Sequence, residues 1–282
     1  MALGNQIRTV MLLGALTGVL VAIGAYFGNI YLALIFAIVM NFGSYWFSHK
    51  IVLMMYRAKE ADVGKYARLH QLVSEVAKKA NVPKPKVYVV PSQNPNAFAT
   101  GRNPKHAVVA VTQSIMDLLT EKELKGVIAH EIAHVKHRDI LIASIAATVA
   151  GTISMLAFMA RWAAIFGGMG RSRDSGNIIE LLALAIIAPL IAAVIQLAIS
   201  RSREYLADES GAKYVGDGKP LASALKKLEA QSKRHPMRFG SPSSAHLFIV
   251  NPFSGRTMLK LFSTHPPVDD RVARLTKMHF KY

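Results

Sequence analysis

The chain has no cysteine in 282 residues, which excludes disulfide frameworks, thiolate zinc sites and cysteine nucleophiles together. Any metal it binds must be held by His, Asp or Glu. Acidic residues are scarce as well, 17 against 34 Lys and Arg, for a formal net charge of +17. Such an excess would suit nucleic acid, but no finger spacing and no basic-aromatic motif accompanies it, so no nucleic-acid partner is expected. Nearly all of the excess falls in residues 50–139 and 200–282, whereas 1–49 and 140–199 are close to neutral. Basic blocks flanking uncharged ones are the pattern of cytoplasmic loops beside an anionic leaflet. Internal repeats and low-complexity segments are missing too.

What the chain has in quantity is apolar residues, 52% of the total, which is high for a soluble protein. Four uncharged stretches, 9–28, 30–47, 140–160 and 181–200, reach the length of about 17 to 25 residues that a spanning helix needs. The first exceeds the apolar core of a signal peptide, about 7 to 15 residues, and only Asn29 parts it from the second. A tight hairpin is expected, with Lys50, Arg57, Lys59, Lys65 and Arg68 marking its open end as cytoplasmic. The second pair carries Arg161, Arg171 and Arg173 in its connection, against Asp174 and Glu180, and is flanked by Lys136, Arg138, Arg201 and Arg203. It reads either as two crossings, which the flanking charge favours, or as a buried apolar hairpin that stays out of the bilayer.

Between the spans, Leu69, Leu72, Val73 and Val76 recur at helical spacing over 66–80. Pro83 and Pro85 then punctuate the chain before a β-rich KVYVV, and NAFATGRNPKHAVVAV reads as two strands joined by a Gly, Asn and Pro turn. Past Pro220 the chain begins as a helix and passes into a loop rich in Ser, Pro and Gly.

His130, Glu131 and His134 form H-E-x-x-H, a pattern with meaning only on a helix. Thr120 and Glu123 supply a capping box for one, and Leu124, Val127, Ile128 and Val135 its apolar face. Histidines four apart stack on one side and can share an ion, while Glu131 lies about 100° round, placed to accept a proton from water. A catalytic zinc ion wants a third protein ligand. His137 lies about 10 Å along the axis from His130, too far for one helix to wrap three ligands, and reads as a basic surface residue near the headgroups. Glu204 and Asp208, four apart in SREYLADESGA, fit better: Glu204 completes the ligand set, and Asp208 accepts the N–H of a ligand histidine. His134 precedes the second apolar pair and Glu204 follows it, so both ends of that pair must lie on one side of the membrane.

Taken together, HEIAHVKHRD at 130–139, SREYLADESGA at 202–212, NAFATG at 96–101, SAHLFIVNP at 244–252 and STHPPVDDR at 263–271 closely resemble the bacterial HtpX membrane metalloproteases. These are relatives of the CAAX prenyl proteases among the gluzincins. The resemblance runs nearly end to end and implies a zinc endopeptidase of the cytoplasmic membrane, with one Zn2+ per chain, acting in quality control on misfolded or damaged membrane proteins. It implies a mainly α integral membrane protein of four transmembrane helices in two hairpins, with a cytoplasmic α+β zincin-like catalytic domain holding a small β-sheet. The divisions expected are 1–48, 49–139, 140–200 and 201–282, with both termini cytoplasmic. The resemblance further implies that Asn96, Ala97, Phe98, Ala99 and Thr100 form an edge strand that pairs with substrate, and that His265 and Arg271 stabilise an oxyanion. A prenyl-type protease and a non-catalytic zinc scaffold are the alternative readings.

Overall fold

The computed structural model describes residues 2–26, 29–149, 201–234, 247–250 and 266–280. Helix α1, Ala2–Tyr26, and helix α2, Ile30–Met55, form a hairpin. Asn29 caps α2 by accepting the Leu32 N–H at 3.0 Å. The buried seam pairs Leu12, Leu16 and Leu20 of α1 with Ala37, Ser44 and Ser48 of α2, while Tyr31, Leu32, Ile35, Ile38, Val39 and Phe42 point outward. On α2, small residues inward and large apolar ones outward is the reverse of a water-soluble helix and suits packing in lipid. Asn41 Nδ2 donates to Thr17 Oγ1 at 2.7 Å across the seam, one polar contact that joins the two helices.

Among the described residues α2 is the one helix long and apolar enough to cross a bilayer. It runs about two turns past residue 47, where the second span was expected to stop, so the expected division at 48 falls inside a helix. Shorter apolar helical runs occur at Thr9–Gly18 and at Ile140–Val149, here α6. The remainder of the third expected span and all of the fourth lie outside the described residues, so four crossings are not seen.

The catalytic part is built round helix α5, Glu121–His137, preceded by α3 (Ala67–Ala80) and α4 (Gln113–Leu118). Helix α7 (Arg201–Val215), α8 (Lys219–Arg234) and α9 (Val268–Leu275) complete it. A mixed sheet of order β1-β2-β4-β3 lies beside α5, with β1 at Lys59–Glu60, β2 at Lys86–Val90, β3 at Ala97–Gly101 and β4 at Ala107–Thr112. The β1–β2 and β3–β4 pairs are antiparallel and β2–β4 is parallel. Gly101 leaves β3 at φ 142°, and a Cβ there would sit 2.5 Å from the His106 carbonyl oxygen, so this turn admits glycine alone. The Leu69, Leu72, Val73 and Val76 face of α3 is buried, as its spacing required, against the core that α5 shares with α8. Helix α9 stands where the sequence suggested only a loop.

The capping box forms, with Glu123 Oε2 accepting the Thr120 N–H at 2.8 Å. Glu123 also accepts from Ser223 Oγ at 2.6 Å and Lys227 Nζ at 2.7 Å, which ties the start of α5 to α8. Burial pushes this carboxyl up, but the hydrogen bonds from Lys227, Ser223 and Thr120 outweigh it and bring the pKa to about 2. A carboxylate depressed in the folded state contributes stability fully above its unfolded pKa, near 4.5, and loses it as pH falls toward about 2. Glu123→Gln should therefore cost about 1–3 kcal/mol at pH 7, with the gap to wild type narrowing across that window. Thermal unfolding of the full chain in detergent at several pH values measures it; a gap that does not change with pH would assign the effect to packing.

Candidate metal centre

Helix α5 presents His130 and His134 one turn apart, with ring centroids 4.8 Å apart and planes at 90°. Their Nε2 atoms approach to 3.3 Å. From α7, Glu204 places Oε2 3.7 Å from His130 Nε2 and Oε1 3.4 Å from His134 Nε2. The three side chains are largely withdrawn from water. The two helices can come this close because Gly211 of α7 lies on the backbone of α5, where a Cβ would stand 2.9 Å from His130 N.

The far side of each ring decides what its Nε2 can do. His130 Nδ1 lies 2.9 Å from Asp208 Oδ1, and His134 Nδ1 lies 3.2 Å from Asp139 Oδ2. A carboxylate accepts only, so each Nδ1 carries a proton, and whenever the ring is neutral its lone pair is on Nε2. Two lone pairs and a carboxylate facing one another inside a protein repel unless a cation lies between them. A tetrahedral zinc ion with ligand bonds of about 2.0–2.1 Å sets its donors about 3.3–3.4 Å apart, close to the spacings here. The donor set fits zinc in hardness, number and geometry. Burial lowers the His134 pKa, but Asp139 and Glu204 outweigh it and raise it well above the ordinary value, a further sign that the site favours positive charge.

Glu131 turns away from the donor set, and its Oε2 accepts the Ala99 N–H of β3 at 2.8 Å. Burial lifts its pKa above the usual carboxylate range, against the opposing influence of His130 and His134. Arg271 of α9 is wholly buried and grips Asp208 with two bonds, Nε to Oδ2 at 2.8 Å and Nη2 to Oδ1 at 2.7 Å. Its Nη1 donates to the Ile249 carbonyl at 3.2 Å and lies 3.8 Å from Glu204. Burial alone would push the Asp208 carboxyl up, but the Arg271 guanidinium and the His130 N–H hold it below its ordinary value. Arg271 was expected to approach the site and stabilise the oxyanion; it stands beside the donor set, and the bonds it makes steady Asp208, the carboxylate that orients His130.

Strand β3 is at the sheet edge, as expected, yet its residues are buried. Asn96 does not line a cleft with its side chain: Nδ2 donates to the Leu247 carbonyl at 3.0 Å, and Oδ1 accepts the Ile249 N–H at 3.1 Å. Phe98 packs inward beside Tyr56, 5.1 Å between centroids, and Thr100 shares a 2.6 Å hydrogen bond with Ser144. What β3 directs toward the site is backbone, the Ala99 N–H that reaches Glu131. His137 is half-buried rather than a surface residue, with Nε2 3.4 Å from Ser210 Oγ, and is not in the donor set. His265 lies outside the described residues. Asp139 was missed by sequence reasoning, although its place just past the end of a ligand-bearing helix was a signal that could have found it.

A buried His, His, Glu donor set, with an unligated glutamate between it and a strand edge, defines a zinc metallopeptidase. Comparison with known proteins agrees. The model for Peptidase family M48 matches residues 64–279, and the chain belongs to that family. It is 56% identical over 278 residues to the Protease HtpX homolog of Desulforapulum autotrophicum, covering 97% of this chain and 90% of that protein. With the Protease HtpX homolog of Thermococcus kodakarensis it is 50% identical over 282 residues, 99% and 97% of the two. The fold is similar to the crystal structure of S. mikatae Ste24p at TM-score 0.50 and 19% identity, covering 96% of this chain and 65% of that one. The protein is a zinc-dependent membrane endopeptidase, mostly helical with a small mixed sheet.

Gly211→Ala should force α7 from α5 and carry Glu204, two turns away, off the histidines. The expected cost is about 1–3 kcal/mol together with a smaller rise in Tm on adding zinc, read by thermal unfolding of the full chain with and without the metal. An undiminished zinc-induced rise would show that this contact does not set the ligand spacing.

Proposed function

We propose that His130, His134 and Glu204 hold the catalytic zinc ion, that Glu131 is the general base, and that β3 receives an extended stretch of a polypeptide substrate along its backbone. The observation that supports this most directly is the hydrogen bond from Ala99 to Glu131 at 2.8 Å, which joins the base to the strand that would carry the scissile peptide. Zinc bound to that set supplies Lewis-acid chemistry, polarising the scissile carbonyl and making water more acidic. Glu131 takes the proton from the attacking water as the C–O bond forms, then gives it to the amine nitrogen as the C–N bond breaks. Its burial favours this role, since a carboxylate with a raised pKa both accepts and returns a proton readily. Asp208, held by Arg271, and Asp139 keep the imidazoles in the tautomer that leaves Nε2 open. Where His265 stands relative to substrate is part of the same proposal, as an oxyanion donor.

The proposed setting is the cytoplasmic membrane, with two hairpins crossing it, both termini and the catalytic part on the cytoplasmic side, and misfolded or damaged membrane proteins as substrates. The outward apolar face of α2 supports the first hairpin. The basic flanks support the orientation. The divisions 1–48, 49–139, 140–200 and 201–282 follow from that topology.

Glu131→Gln should keep stoichiometric zinc and lose cleavage of an unfolded polypeptide by about 10²- to 10⁴-fold, as metal analysis and proteolysis of the purified variant would show. Wild-type cleavage with zinc bound would remove the general-base assignment. The topology has its own test, made simple by the absence of cysteine. Asn29→Cys and Ser172→Cys should react with an impermeant thiol reagent from outside intact cells, and Lys105→Cys only after permeabilisation. Outside labelling of Lys105→Cys would reverse the orientation.

A further inference from the structure

Asp139 occupies one residue between two helices and serves both. Arg138 adopts a left-handed conformation at φ 61°, which folds the chain back at the end of α5. The Asp139 N–H then donates to the His134 carbonyl at 3.0 Å, closing α5, and the Asp139 carbonyl accepts the Ala143 N–H at 3.1 Å, opening α6. The side chain is divided in the same way. Its Oδ2 faces His134 Nδ1 at 3.2 Å, and its Oδ1 accepts from Arg203 Nη1 at 3.5 Å. Both side chains of that pair are largely buried. Arg203 stands in the first turn of α7, one residue before Glu204.

We propose that Asp139 and Arg203 are positioning residues for the metal site, a clasp that joins the entry of the 140–200 stretch to its exit and holds the two ligands nearest those ends, His134 and Glu204, in register. The mechanism is charge and reach. The carboxylate fixes the His134 tautomer, while the guanidinium fixes the orientation of that carboxylate. The arrangement repeats what Arg271 and Asp208 do for His130, with one difference. The Asp208–Arg271 pair lies within the catalytic part, whereas the Asp139–Arg203 pair spans the two ends of the 140–200 stretch, whose two uncharged runs, 140–160 and 181–200, are each of membrane-spanning length. Zinc affinity then depends on those ends staying together. The proposal rests on the reading that His130, His134 and Glu204 hold the metal.

The test is zinc affinity of the full-length protein in detergent, by competition with a chelator, with the visible spectrum of the Co2+ form as a second readout of ligand geometry. Asp139→Ala should weaken zinc by about 10- to 100-fold and alter the Co2+ spectrum. Arg203→Ala should weaken it by about three- to tenfold, with Arg203→Lys restoring part of the loss. Because Arg203 acts through Asp139, the double variant should bind no more weakly than Asp139→Ala. Wild-type affinity in Asp139→Ala, or two losses that multiply, would overturn the clasp. If Asp139→Ala does not fold, Asp139→Asn decides. It keeps an acceptor for the ring N–H and loses the charge, so a loss of about threefold or more supports the proposal and wild-type affinity sinks it. Glu204→Ala in the same titration should lose stoichiometric zinc; retention there would reject the ligand set itself, whatever the Asp139 variants do.

Discussion

Gly211 lies so close to the backbone of α5 that a single methyl would stand 2.9 Å from His130 N. That approach sets the distance between α5 and α7, and with it the 3.4 and 3.7 Å separations between Glu204 and the two histidines. One helix can offer two imidazoles a turn apart but cannot curl a third ligand round the same ion. The third must come from a second helix, and it arrives at bonding distance only if nothing larger than hydrogen separates the two backbones. The hydrophobic core round α5 sustains the contact, with Val127, Ile128 and Ile132 buried on one helix and Ala212 on the other.

Charge is the second constraint. Glu131, Asp139, Glu204 and Asp208 are all buried; among the described residues Arg203 touches Asp139, and Arg271 touches Asp208 and Glu204. With the imidazoles neutral, a divalent cation between His130, His134 and Glu204 brings this set to zero net charge. Isolated ions taken out of water cost several kcal/mol each, so a set that balances only with the cation present is one whose folding and metal binding support each other. The two Arg, Asp, His relays also explain why such polar side chains are tolerated in the interior: every carboxylate oxygen of Asp208 and Asp139 has a donor.

The site sits close to lipid for a structural reason. Helix α6, apolar from Ile140 to Val149, begins one residue after Asp139, and Arg203 lies in the first turn of α7. The first hairpin is tied in as well, since Val52 and Leu53 of α2 share a small core with Phe98 of β3 and Ala147 of α6. The strand beside Glu131 therefore rests on the end of α2 and on α6.

Much of this was legible in the chain itself. Paired histidines at helical spacing, a capping box before them, an acidic helix after an apolar stretch and the want of any thiol determined a His, His, Glu metal site on two helices, because a ligand's chemistry and its periodicity are local properties. The alternation of KVYVV and NAFATG likewise marked strands. Only the tertiary structure decided what each polar side chain faces. The enclosure of Arg271 against Asp208 could not be read from the sequence, nor could the bonds of the Asn96 side chain to the Leu247 and Ile249 backbone. Asp139 sits in an ordinary helix-ending turn, and its partnership with Arg203, 64 residues on, comes from two distant segments meeting. Spacing along a chain says which groups share a helix face. Which groups meet across helices depends on how closely the backbones pack, and here that depends on a glycine.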